Sequence, residues 1–276
     1  MTVRVVLTLL NGLFGLSYNP FDKQANPGQD GFQSNDFKEM TSRLNYLKDV
    51  RGIGLFTAAP GFGKTHALRC FADTLNPGLY QMAYICLTSV SVTEFYRQFC
   101  VALNLDYSAQ RSVMFRAIQE RLYFLLREKR RTFILAIDEA HDLDPRSLRD
   151  IKMIMNHAYD SMYCFTLLLI GEPHLNRTLE KPPHEALHQR ITIHYNFTGL
   201  SADETAAYIN HKLSAAGGCA GILADGVPSA VHGYSQGNPR LIDNVMSDAL
   251  TFATQLNKKV IDTDVILAAV ENQAFQ

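Results

Sequence analysis

The sequence predicts an α/β fold, a parallel sheet covered on both faces by helices and followed by a small all-helical domain. Three observations predict it. Short apolar runs interleave with helical patterns as far as about residue 198. Two of those runs end in residues suited to phosphate and metal chemistry, and from Leu200 onward the strand patterns stop. Strands alternating with helices pack as a parallel sheet, with the ligand at the carboxyl ends of the strands.

The elements follow in order. Val3 to Leu16 is apolar but too short, and too interrupted by Asn11, Gly12 and Gly15, to cross a bilayer. No small-residue cleavage site follows it, so it reads as a buried segment. Pro20 and Pro27 keep the polar stretch Asp22 to Asn35 extended. Asn35 or Asp36 caps a helix with Phe37, Met40, Leu44 and Leu47 on one face. The first strand is Ile53 to Thr57, and a helix from Lys64 to about Leu75 ends at Asn76-Pro77-Gly78. Gln81 to Leu87 is a second strand, with Thr88 and Ser89 at its end, and Val92 to Leu103 and Val113 to Leu126 are helices. The apolar run that opens Thr132 to Asp142 is a third strand, Pro145 to Ala158 a helix, Cys164 to Ile170 a fourth strand and Ile191 to Tyr195 a fifth. Ser201 and Glu204 form a capping box for the helix to Ala216, and Val227 to Tyr234, Pro239 to Leu256 and Thr263 to Gln273 complete the helical domain. The chain thus divides into an N-terminal segment, 1–35, expected to pack on the α/β core, the α/β domain itself, 36–198, and a helical lid, 199–276.

Leu55 to His66 reads LFTAAPGFGKTH, a strand running into a glycine turn and then a helix. This is the layout of a P-loop. Ala58, Ala59, Pro60, Gly61, Phe62 and Gly63 would present backbone N–H groups to phosphate, with the positive end of the following helix behind them. Lys64 would reach the β and γ phosphates of ATP, Thr65 would ligate magnesium, and His66 lies beside them at the helix start. Ala58 stands where the pattern has its first glycine, so its backbone must stay at negative φ. Thr132 to Asp142, TFILAIDEAHD, ends an apolar strand in two acids. Asp138 would hold the magnesium shell and Glu139 would orient the attacking water, as phosphoryl transfer requires. Glu172, at the end of the fourth strand, is either a sensor of the γ phosphate or an ordinary turn acid.

The 276 residues are 47% hydrophobic and 19% charged with net charge −1, so the chain is globular and has no global basic field for nucleic acid. The run Arg127-Glu128-Lys129-Arg130-Arg131 is either a solvated helix end or a phosphate-backbone contact. The five cysteines are widely spaced in mostly apolar segments and read as reduced core residues of a cytoplasmic protein.

Together these stretches resemble the AAA+ ATPases of the ExeA/GspA-like group, which also holds many transposon-encoded ATP-dependent regulators (TnsC/MuB/IstB type). Phe14-Gly15-Leu16, Asn19-Pro20-Phe21, Leu169 to Leu175, Gln189-Arg190-Ile191 and Gly237 to Ile242 carry the resemblance beside the two motifs. It implies that Arg190 reaches the ATP of a neighbouring subunit and that Arg240 is a lid arginine touching the γ phosphate. Either arginine could instead sit in a surface ion pair. It further implies a self-assembling, ATP-hydrolysing transposition regulator that binds double-stranded DNA and a separate transposase. A secretion-pathway assembly ATPase, or a nucleotide-dependent scaffold with little hydrolysis, is the alternative. Relatives often have glycine and a neutral polar residue at the positions of Ala58 and Glu172, which bears on hydrolysis more than on ATP binding.

Overall fold

The computed structural model describes residues 10–22, 31–86, 91–157, 162–219 and 221–274. The chain separates into two units, one of Phe37–Phe197 and one that joins the described part of Met1–Asp36 to Thr198–Gln276.

In the first unit, β1 (Ile53–Thr57), β2 (Tyr80–Cys86), β3 (Thr132–Asp138), β6 (Phe165–Gly171) and β7 (Ile191–Asn196) form one parallel sheet in the order β2-β3-β6-β1-β7. The two-residue strands β4 (Asn156–His157) and β5 (Met162–Tyr163) pair separately and antiparallel. Side chains alternate across a strand, which is why the apolar runs serve two cores at once. Phe133, Leu135 and Ile137 of β3 face a cluster with Phe95, Phe99 and Ile118. Ile134 and Ala136 face the opposite cluster with Met40, Leu44 and Phe71. The inner strands β1, β3 and β6 are buried on both sides because helices such as Val92–Ala102, Arg111–Arg127 and Asn35–Val50 contribute to one cluster or the other.

Most elements fall where the sequence places them, with instructive differences. The helix from Pro145 ends at Met155 and the chain turns into β4. Its expected end, Ala158, and the residues Leu87, Thr88 and Ser89 expected to finish the second strand lie outside the described residues. Two short helices, His174–Leu179 and Glu185–His188, fill a stretch left unassigned, since six- and four-residue helices are too brief to show a period.

The second unit corrects one expectation. The N-terminal segment does not join the α/β core: Leu10, Phe14, Leu16 and Phe21 are buried with Ile209, Leu213, Val231, Ile242 and Met246 of the C-terminal helices. Polar contacts fix it there. Ser17 N and Oγ both donate to Ala216 O, at 2.9 and 2.8 Å, and Asn19 Nδ2 donates to Ser247 Oγ at 2.8 Å. The helices Ala202–Ala215, Val227–Ser235, Pro239–Gln255 and Thr263–Ala274 are the rest of this unit. All five cysteines are free, but Cys86 and Cys219 are exposed rather than in a core.

Candidate functional site

The carboxyl ends of β1, β6 and β3 lie side by side, and each contributes to one site. β1 is buried throughout, and beyond it Ala58 N donates to Gly171 O at 3.1 Å, tying the loop's start to the end of β6. Gly61 and Gly63 take φ of 91° and 88°, where a side chain would be strained. Ala58 is not among the positive-φ residues, so alanine is accommodated at that position. A Cβ built on Gly63 would meet nothing within 4 Å, so backbone conformation rather than crowding calls for glycine there. Ala59 and Pro60 are exposed, and Phe62 packs partly against the core.

Lys64 opens the helix Lys64–Thr74 and is 7% exposed. Its ammonium donates to Ala58 O at 2.7 Å and Ala59 O at 3.2 Å, curled against the loop's own carbonyls. Positive-φ glycines, a helix N-terminus and a buried ammonium together make an anion cradle. His66, one residue past Thr65, sits over Phe37 with ring centroids 6.0 Å apart, and its Nδ1 lies 3.2 Å from Arg69 Nη2.

The acid strand ends against this loop. Thr65 Oγ1 donates to Asp138 Oδ2 at 2.8 Å, and Glu139 N donates to Asp138 Oδ1 at 3.0 Å. A hydroxyl and a buried carboxylate are hard oxygen donors of the type magnesium selects, so these residues fit such a cation. Glu139 has φ 52°, in the left-handed region, which turns its half-exposed carboxylate off the strand line. His141 Nδ1 is 3.4 Å from Glu139 Oε2 and accepts from Glu172 N at 3.2 Å. Glu172 Oε2 is 3.5 Å from His174 Nδ1, and the two histidine rings meet edge to face at 4.6 Å. Glu139 and Glu172 are thus brought together through His141.

Arg190 is elsewhere. It immediately precedes β7, whose Ile191 pairs with Ile53 at the start of β1, whereas the loop follows Thr57 at the other end. Along the strand this separates Arg190 from its own loop by about 17 Å, farther than an arginine side chain extends. Arg240 belongs to the helical unit, exposed in the first turn of Pro239–Gln255, with its backbone N–H donated to Asn238 Oδ1 at 3.0 Å.

Sequence reasoning missed four polar residues near the loop. Tyr84 OH donates to Asp138 Oδ2 at 2.8 Å. Asn176 Nδ2 donates to Asn196 Oδ1 at 3.0 Å and to Thr57 Oγ1 at 3.2 Å, and Thr57 Oγ1 also bonds Asn196 Oδ1, at the base of the loop. The sequence signal was that Thr57 and Asn196 end strands and Tyr84 lies near the end of one, whereas Asn176, inside the short helix His174–Leu179, carried none. Strand order, which brings them together, is not written locally.

Residues 47–179 match the family model described as AAA domain. General secretion pathway protein A of Aeromonas hydrophila is 32% identical over 262 residues, covering 94% of this chain and 47% of that protein. The chain therefore spans about half the length of this curated relative. Among solved structures, Cdc6p of Pyrobaculum aerophilum aligns with TM-score 0.62 at 16% identity, over 88% of this chain and 67% of that one. The Aeropyrum pernix ORC1 protein in complex with DNA aligns at 0.63 and 15%, over 92% and 68%. The Thermotoga maritima RuvB Holliday junction branch migration motor aligns at 0.58 and 17%, over 87% and 69%. Loop, sheet and fold likeness agree: this chain has the AAA-type P-loop fold, matches the AAA domain model over residues 47–179, and is similar to general secretion pathway protein A.

Proposed function

We propose that the chain is a magnesium-dependent ATPase module of the general secretion pathway protein A kind, completed by self-assembly. The observation that carries this is the 2.8 Å contact between Thr65 and Asp138, which joins the phosphate loop to the acid strand in one site. A magnesium ion held by Thr65 and Asp138 would supply charge neutralisation for the phosphates. Lys64 exchanges its two loop carbonyls for phosphate oxygens, the loop's N–H groups and helix end hold the anion, and Glu139 orients the attacking water from its turned-out position. Glu172 reaches Glu139 only through His141, which suits a residue that relays the state of the site.

Arg190 supports assembly, because it lies too far from its own loop to act there. Arg240 is a cation in a helix's first turn, where the macrodipole disfavours it, so its position is not explained by helix stability. The lid role that the resemblance implies for Arg240 is kept as part of this proposal.

The 32% identity over 94% of the chain favours the secretion reading over the expected transposition regulator. The basic run also loses weight as a DNA contact. Arg131 Nη2 donates to Pro77 O at 2.7 Å as a strut, and Lys129 lies over the Phe124 ring at 5.5 Å. Among the described residues no helix is long and apolar enough to cross a membrane.

The test is thermal stabilisation and turnover with ATP and magnesium. Wild type should be stabilised by about 2.7 kcal/mol at a hundredfold excess of ATP over Kd, and Lys64→Ala should lose this. Glu139→Gln should keep the stabilisation while turnover falls roughly a hundredfold. An unchanged melting shift in Lys64→Ala would overturn the reading. A gel shift of duplex DNA with a slowly hydrolysed ATP analogue would restore the regulator.

A further inference from the structure

β2 is an edge strand, paired only to β3, with Cys86 opposite Asp138 and Tyr84 opposite Ala136. Tyr84 is therefore the diagonal neighbour of Asp138 on the same face, a separation an aromatic side chain spans. Its hydroxyl crosses to Asp138 Oδ2 at 2.8 Å, on the same oxygen that accepts from Thr65 Oγ1 at 2.8 Å. Glu139 N occupies Oδ1 at 3.0 Å. Three donors from three elements thus fix the plane of one carboxylate that is 3% exposed.

Packing does not account for this tyrosine. The residue is 49% exposed and lies on the face of β2 opposite the one that Ala83 and Ile85 present to the helix Val92–Ala102. A half-exposed edge position is satisfied by many side chains. Only one with a donor at this distance reaches the buried acid.

We propose that Tyr84 is a positioning residue for the divalent cation: its hydroxyl holds Asp138 Oδ2 beside Thr65, so that carboxylate and hydroxyl stand ready for the metal together. The proposal rests on the nucleotide-site reading above. Hydrogen-bond partners of metal-binding carboxylates contribute in this way, and their loss commonly weakens metal affinity ten- to a hundredfold. Thr65 and Glu139 remain in place without Tyr84, so the lower end of that range is expected.

The test compares wild type with Tyr84→Phe by titrating a fluorescent ATP analogue, once in EDTA and once in magnesium. Affinity in EDTA and the melting temperature of the nucleotide-free protein should match wild type. The affinity gained on adding magnesium should shrink about tenfold. A magnesium gain equal to wild type in Tyr84→Phe, while Asp138→Asn loses it, would overturn the role of Tyr84 and leave the nucleotide site standing. Absence of any binding by wild type would instead remove the nucleotide site and this inference with it. If Tyr84→Phe unfolds, Tyr84→Leu is a second variant without the donor, and a magnesium gain equal to wild type in that protein also overturns the role.

Discussion

Burying an ammonium is costly unless its charge is met, and Lys64 meets it with two carbonyls of the loop it serves. The residue proposed to bind phosphate therefore also ties the loop together through its carbonyls. His184 shows the opposite situation. It is buried in the turn Pro182–His184 with Nδ1 lacking a hydrogen-bond partner, and burial first, then the charges of Arg149 and Lys181, lower its pKa. The folded state thus resists a proton that the unfolded chain accepts near pH 6.5. Stability from this residue is complete above that value and declines as pH falls below it, because the unfolded state then binds more protons. Melting temperature should accordingly fall between about pH 7.5 and about pH 5.5, and His184→Leu should flatten the fall relative to wild type. Parallel curves for the two proteins would contradict this.

Among the elements, the turn before Pro239–Gln255 is the least tolerant of change. Gly237 has φ 74°, its carbonyl accepts from Leu200 N at 2.8 Å, and a Cβ there would lie 2.1 Å from Leu200 O. Gly237→Ala should cost about 2–4 kcal/mol through the clash and the left-handed backbone together, read as a drop in the denaturant midpoint. A midpoint equal to wild type would show that the turn yields. The motifs from Leu55 to His66 and from Thr132 to Asp142 were legible because their chemistry is written in consecutive residues, each run ending in its working groups. Tyr84, Asn176 and Asn196 were not, because they meet only once β2 lies beside β3 and β7 beside β1. The N-terminal run announced burial through its apolar residues but not its partner. Hydrophobicity has no direction, and hydrogen bonds such as those of Ser17 and Asn19 decide the destination.

At the scale of the whole molecule, β7 separates Arg190 from its own phosphate loop by the length of the sheet. If Arg190 serves a neighbour, a mixture of Arg190→Ala and Lys64→Ala proteins should regain turnover that neither has alone, because one supplies the loop and the other the arginine. A mixture as inactive as its components at every ratio would place the arginine's role within one subunit. The arrangement has a consequence for counting. A closed circle of copies would contain as many working centres as members, an open row one fewer, and a solitary copy none. Activity per copy would then rise with protein concentration and level off at a plateau that distinguishes circle from row.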